Sequence, residues 1–531
     1  KILGANCIIQ QPQIGAAMKK KMIITVMTLS AMCLFGGCKK EPEAKSPMPV
    51  AEEINSTEIQ TELETSENQT TKQQPEILAT NLTQQELPME CIDYSIDSYN
   101  GLQQFSYQLF QQNIGDENPV ISPISAYLAL SMAGFGADGT TLQEFQKVLG
   151  EMDDMAVYSD NFMSTLQQQS ENLTLSLANS VWMDNHFTAD KSWLGEVKSF
   201  TRADVFQSDI TSIETMNSMN QWVKQHTNGL IEQILEKPLD SDTRLALLNT
   251  LYFKAKWETP FEQMDTYTEA FRLENGSVIS SEEAAENYHN DSSSTVDVPM
   301  MHKYGEYYSY IANEFAEGVI LPYQNSSTAE IYNMPDMPVE EDAKGVCATP
   351  NLAFIALKPR NTENYQKFNR QTKYEETLTD YLIGESTVRD MYRMLTNEVI
   401  ADLLVNRQTK LVNLKLPKFE ITFEKKLNES LKNIGLKECF DEEKANFSKM
   451  GTTTAGGNLY IDLVFQKAKI IVDEEGTEAA AVTEVLIKEE CASIIDEEPI
   501  NVYFDEPFLY MIMDMDKEVP LFIGIMDNPE V

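Results

Sequence analysis

Apolar positions recur at helical spacing over Tyr107 to Ile114 and over Ile124 to Gly134, which predicts two helices early in the patterned part of the chain. Over Leu173 to Met183, Leu245 to Phe253, Phe354 to Lys358 and Leu411 to Phe423 the apolar residues alternate or run continuously, which predicts strands. Helical runs followed by strand runs, without a regular βαβα alternation, point to an α+β fold rather than a doubly wound sheet. The periodic pattern starts after Cys91 and continues to Val531. Two polar islands interrupt it, near Ile279 to Thr295 and near Thr328 to Pro350, and both read as surface insertions into one folded unit spanning residues 93–531. No internal repeat is visible.

Upstream of that unit the pattern is different. Lys19, Lys20 and Lys21 precede an apolar run from Met22 to Phe35, and Gly36-Gly37-Cys38-Lys39-Lys40 follows. The run falls short of the roughly 20 residues a membrane helix needs but suits the apolar part of an export leader starting at Met18. Two small residues before a Cys resemble a bacterial lipoprotein cleavage box, with Phe35 where Leu is commoner. Residues 1–37 are therefore expected to be upstream extension plus leader, with Cys38 lipidated on the outer face of a bacterial cell membrane. Residues 38–92 are rich in Glu, Gln, Thr, Ser and Pro and bury too little apolar surface to offset ordering, so a flexible acidic tether is expected.

Charge narrows the function classes. Lys+Arg total 41 against 83 Asp+Glu, a formal net charge of −42, which repels phosphate backbones and excludes nucleic acid and direct binding to anionic lipid. Membrane contact is expected only through the N-terminal lipid. Hydrophobic residues at 42% and aromatics at 9% supply a sizeable core. The sequence has no G-x-S-x-G, H-E-x-x-H, paired C-x-x-C or Walker loop. His186, His226, His289 and His302 have no shared ligand spacing and read as surface or hydrogen-bonded structural residues. No metal, cofactor or catalytic residue is expected. Gly134-Phe135-Gly136-Ala137-Asp138-Gly139 matches G-x-G-x-x-G, but a helix rather than a strand precedes it, so the glycines read as a helix stop. Five cysteines, Cys38, Cys91, Cys347, Cys439 and Cys491, remain past the leader and are too sparse for an essential disulfide framework.

The most informative segment runs from Val472 to Ile487. From Thr477 every second residue is small or apolar, while the intervening set carries Glu478 and Glu484, as in a strand with one buried face. Lys488 to Ser493 and the cluster Asp496-Glu497-Glu498-Pro499 then read as an exposed loop. A loop written as a strand suggests two conformations. An ordinary helix beginning at Thr477, with Ala-rich residues following, fits the pattern equally well.

A family resemblance breaks that tie. Glu474-Glu475-Gly476-Thr477-Glu478-Ala479-Ala480-Ala481-Val482-Thr483 resembles the hinge of inhibitory serpin reactive loops. Further motifs follow in serpin order: Asn118 to Ser125, Leu177 to Trp182, Met219 to Val223 with Thr227, Leu248 to Trp257 with Phe261, Val298 to Met301, Leu416 to Phe419, Asp505 to Phe508, and Leu521 to Gly524 with Pro529. The resemblance covers the chain from about residue 95 to its end.

It implies three β-sheets with eight or nine helices, an exposed reactive-centre loop, and suicide inhibition of a serine or cysteine endopeptidase by a monomer with no enzymatic activity. Cleavage would let the loop insert into the large sheet. Glu474, Glu475, Gly476, Thr477, Ala479, Ala480, Ala481 and Thr483 would form the hinge. Serpin spacing from Gly476 nominates Glu490 as the scissile residue, with Cys491 following, and so an acid-preferring protease. Lys488 with a trypsin-like target is the second choice. Ser122, Ser125 and Asn249 would form the sheet-opening cluster, with Gln466 where many serpins have His; Gln still donates and accepts. A non-inhibitory serpin acting as a surface binding protein is the alternative reading.

Overall fold

The computed structural model describes residues 20–30, 76–77, 99–115, 117–166, 168–170, 172–241, 243–273, 295–324, 351–360, 388–454, 458–477 and 498–529. Among these residues there are twenty strands, β1–β20 in chain order, and nine α-helices, α1–α9. The fold is α+β, with three hydrogen-bonded sheets of nine, nine and two strands.

The first large sheet is built on β5 (Leu173–Asp184), β8 (Thr243–Lys256) and β16 (Leu459–Val472). β5 pairs antiparallel with β8 through eleven rungs, from Leu173↔Ala255 to Met183↔Leu245. On its far side β8 does not reach β16 directly: β1 (Lys20–Ser30) runs between them, parallel to both. These residues belong to the apolar run that the sequence reading assigns to an export leader. A run of Ile, Val, Met and Thr also suits a strand hydrogen-bonded on both edges, so one composition serves either role. β17 (Gly476–Thr477) continues the filling of the same gap, antiparallel to both neighbours. At the opposite edge β2 (Glu76–Ile77), within the stretch read as a tether, adds two rungs to β7 (Asp204–Ser208).

The second large sheet carries β9 (Thr266–Arg272), β10 (Thr295–Ala312), β13 (Gln408–Pro417) and β18 (Ile500–Tyr503) side by side, then continues through β11 (Ala316–Pro322) and β12 (Leu352–Pro359) to β19 (Phe508–Asp514) and β20 (Val519–Met526). The strand expected over Leu411 to Phe423 is in fact two strands in different sheets, β13 and β14 (Phe419–Lys426), the latter pairing with β16. Pro417 marks the break: it ends the ladder with Met300, and the Lys418 amide turns to Pro299 O.

Helix α2 (Pro123–Gly134) lies in the core with all twelve residues buried. It packs on β1, β8 and β20. Ser122 caps it by accepting from the Ser125 amide, and Pro123 occupies the first turn, where a missing N–H costs nothing. Its end at Gly134, followed by α3 from Gly139, agrees with the helix-stop reading of the three glycines and leaves no strand–helix phosphate turn.

Candidate functional site

The hinge begins where β16 ends, and a tight turn of backbone and side-chain bonds fixes it. The Asp473 carboxylate accepts from the amides of Glu475 (3.0 Å) and Gly476 (3.3 Å), and the Asp473 amide donates to Gly476 O. Trp257 grips the turn twice: its indole N–H donates to Asp473 O (2.8 Å) and its amide to Glu475 O (2.9 Å). The Phe261 amide donates to Glu474 O at 2.8 Å. Gly476 then faces Lys256 of β8 so closely that a Cβ would stand 2.0 Å from Ala255 O, which only glycine avoids. Thr477 is completely buried between Val472 of β16 and Ala255 of β8, with its hydroxyl 2.6 Å from that of Tyr323. Tyr323 stacks on Trp257 at 4.9 Å between ring centres.

Two carboxylates in this turn behave oppositely. Burial pushes Asp473 up to about 6, only partly opposed by its two amide donors and by Lys418. Burial also acts to raise Glu474, but the Lys418 ammonium, 2.8 Å from Oε2, together with the Glu474 amide and the Thr266 hydroxyl outweighs it and holds the group below the usual carboxylate range.

The predicted sheet-opening cluster is only partly assembled. Ser122, Ser125, Asn249 and Gln466 are all fully buried. Gln466 brackets the start of α2: its Nε2 donates to Ser122 O (2.9 Å) and its Oε1 accepts the Ser122 amide (3.3 Å). Asn249 instead donates to Asn179 Oδ1 at 2.7 Å. The reason is positional. Val26 of β1 pairs with Asn249 on one edge and with Gln466 on the other, so a whole strand separates them.

Among the predicted hinge residues the structure brings Glu474, Glu475, Gly476 and Thr477 together. Ala479, Ala480, Ala481, Thr483, Glu490, Cys491 and Cys38 lie outside the described residues. Cys439 is buried, which pushes its thiol well up, while the other cysteines also lie outside. His186 contacts Asp184, His226 contacts Trp222 O and His302 contacts Asp265 O. Among the described residues no three His, Cys, Asp or Glu side chains gather as a metal site.

Sequence reasoning quoted Trp257, Phe261 and Lys418 only as parts of motifs and missed Tyr323 and Asp473 as hinge partners. Trp257 could have been found, as a tryptophan closing a long apolar strand. Tyr323 carries no local signal, since its partner is 154 residues away.

In this nine-stranded sheet the parallel strands β8 and β16 are held apart by β1, and the hinge that leaves β16 is paired between the same two strands at β17. The profile of the family Serpin (serine protease inhibitor) matches residues 100–346 and 373–529. The chain belongs to the serpin family, whose members are mostly protease inhibitors rather than enzymes. It is 28% identical over 438 residues to an uncharacterized serpin-like protein of Thermococcus kodakarensis, covering 81% of this chain and 85% of that one. It is 27% identical over 421 residues to neuroserpin of Mus musculus, covering 78% and 87% respectively. Among solved structures the thermophilic serpin tengpin in its native state superposes with a TM-score of 0.64 at 30% identity, covering 86% of this chain and 100% of that one. Tengpin in its latent state gives 0.59 at 30% identity, covering 81% and 97%.

Proposed function

We propose that this serpin is a suicide inhibitor of serine or cysteine endopeptidases, monomeric and anchored through a lipid on Cys38 to the outer face of a bacterial cell membrane. The observation that carries the inhibitory part is Thr477, buried between β8 and β16 and paired to both. The protease nucleophile attacks the Glu490 carbonyl, the Glu490–Cys491 peptide bond breaks, and the Cys491 amine leaves with a proton from the protease's general acid. Glu490 remains as an acyl ester or thioester on the protease. The freed segment from Glu478 to Glu490 then adds to the sheet and carries the protease with it, a mode of strand addition for which serpins are the standard example.

Inward positions Ala479, Ala481, Thr483, Val485 and Ile487 are small or apolar, whereas Glu478 and Glu484 face water. Insertion as far as Ile487 therefore buries no charge, whose burial unpaired would cost several kcal/mol, and Glu489 is the first charged residue on the inward side.

The test is incubation with serine- and cysteine-type endopeptidases that prefer Glu, Asp, or Lys/Arg, followed by denaturing electrophoresis. A conjugate resistant to SDS, with a released fragment beginning at Cys491, is expected from an acid-preferring enzyme. Clean cleavage without conjugate by every enzyme refutes inhibition; a fragment beginning at Glu489 moves the scissile residue to Lys488. Separately, Cys38→Ser is expected to shift the chain from the membrane fraction to the medium, and unchanged retention removes the lipid anchor.

A further inference from the structure

The described residues expose six large hydrophobic side chains, and four stand on β9, on β10 or in the turn leading into β9: Met264 (84% exposed), Tyr267 (44%), Tyr304 (57%) and Tyr307 (46%). The other two, Ile213 and Val405, stand elsewhere, on α6 (Ile213–His226) and at the end of α8 (Asn397–Val405). Tyr267 on β9 and Tyr304 on β10 touch through their hydroxyls (2.6 Å), and buried His302 stacks against both rings, at 4.2 and 5.7 Å. His302 also contacts the backbone O of Asp265, next to Met264. Lys303, Glu306 and Tyr308 bond to one another on the opposite face of β10. Strand alternation therefore puts Tyr307 on the Tyr304 side. Tyr267 and Tyr304 are held in place, since their rings rest on a buried imidazole.

Its position relative to the reactive segment is set by the sheet. β10 bulges between Lys303 and Glu306, and there the Gly305 amide donates to Asn413 Oδ1 (3.0 Å), whose Nδ2 donates to Asn501 Oδ1 (3.0 Å). Glu306 faces Val412, and Val412 faces Ile500. The tyrosines thus stand two strand spacings, about 10 Å, from the residue where the chain returns from the reactive segment. From Cys491 to Ile500 the chain spans at most about 30 Å. A protease of about 230 residues is about 45 Å across. Bound at Glu490, within that reach, it is wide enough to meet this face.

Resting on the proposed inhibitory function, we infer that the Met264–Tyr267–Tyr304–Tyr307 platform is a second docking surface for the target protease, one that takes a basic side chain of that enzyme. Tyrosine faces attract Arg and Lys, and the Asp265 carboxylate stands near the rings, whereas that of Glu269 is already paired to Lys415. The net charge of −42 steers a basic partner toward the chain before contact. The surface contributes to how fast the protease arrives rather than to what happens after cleavage.

The test pairs Tyr304→Ser/Tyr307→Ser with an Ile213→Ser/Val405→Ser control, each assayed with a serine-type glutamyl endopeptidase. Two readouts are taken: the second-order rate of conjugate formation, and kcat/KM for cleavage at Glu490 in a Thr477→Arg background that reports docking without insertion. The tyrosine variant is expected to lose tenfold or more in both, with a melting temperature lowered by no more than a few degrees and unchanged moles of inhibitor consumed per protease. The control is expected to match the parent. Equal rates for the tyrosine variant and the parent overturn the docking surface while leaving inhibition intact. A parent that is cut at Glu490 but traps nothing sinks the inhibitory reading, and the cleavage rates still decide the platform. A parent neither cut nor conjugated overturns both.

Discussion

The hydroxyls of Tyr323 and Thr477 lie 2.6 Å apart in a site closed to solvent, so the first residue of the hinge to enter the sheet is met by a partner from the other sheet. Tyr323→Phe keeps the stack on Trp257 and strands the Thr477 hydroxyl, at about 1–3 kcal/mol for a buried group left unpaired. The melting temperature is expected to fall by a few degrees, and the amides of Gly476 and Thr477 to exchange faster in deuterium oxide. An unchanged exchange rate would show that Tyr323 does not hold the hinge.

Thr477→Arg puts a long cation into that same closed site. Cleavage at the Glu490 bond is expected to continue while the covalent conjugate nearly disappears, seen as a rise in cut inhibitor per protease molecule on a denaturing gel. Conjugate at the parental level would rule out insertion through this gap.

Gln466→Ala removes the only side chain that pairs both the N–H and the C=O of Ser122 in the hydrogen bonds described above. The Ser122 amide loses its partner, at about 1–3 kcal/mol, while Ser122 O keeps the Ala126 amide at 3.3 Å. Gln466→His restores one bond and is expected to recover part of the loss. Denaturant midpoints of the three chains give the ranking parent, His, Ala; any other order contradicts the bracket.

Hinge stability should depend on pH through two groups of opposite sign. Asp473 has its folded value raised to about 6, so it contributes fully below its unfolded value and the contribution is lost as pH rises through 6. Glu474 is lowered, so its contribution is present above its unfolded value and is lost only as pH falls through the lowered folded one. Between about 5 and 7 only Asp473 changes. Protection of the Gly476 amide, corrected for intrinsic exchange, is therefore expected to increase from pH 7 to pH 5. Asp473→Asn, which keeps the acceptor oxygen, should flatten that profile.

Cutting at Glu490 in a chain beginning at Cys38 should raise the melting temperature. Ladder hydrogen bonds add about 0.5–1.5 kcal/mol each, and a domain of this size gains roughly 2 °C per kcal/mol, so about ten degrees or more is expected. A chain that retains residues 18–37 should gain less, because the rungs of β8 from Thr243 to Phe253 are already paired to β1. Calorimetry on both chains, before and after cutting, checks the difference.

Much of the fold was readable where a cause is local. Helix α2 follows from its Ser-Pro start and the glycine at its end, and β5 and β8 from unbroken apolar runs. The division of Leu411 to Phe423 was written in Pro417 and overlooked, since a proline that ends one ladder says nothing about which sheet the next strand joins. The cluster around Ser122 was half readable for a similar reason. Gln466 needs only α2 beside β16, whereas Asn249 depends on what lies between β8 and β16, and no feature near residue 249 reports that. The tyrosine platform was not legible either, because Tyr267 and Tyr304 are brought together by antiparallel register across a long hairpin.

Thr477 is already paired to strands on both sides and Gly476 to β8, which on the proposed inhibitory mechanism changes the kinetics that cleavage would set in motion. Starting a strand is the slow event, because several backbone torsions must be fixed before the first bond repays them, and here that nucleus exists before any protease arrives. Growth from it is a zipper, one rung at a time, with each new residue tethered to the last. On that mechanism the contest against hydrolysis of the acyl bond would turn on propagation alone, and a single side chain that halts the zipper near its start would do more harm than the same side chain placed farther along.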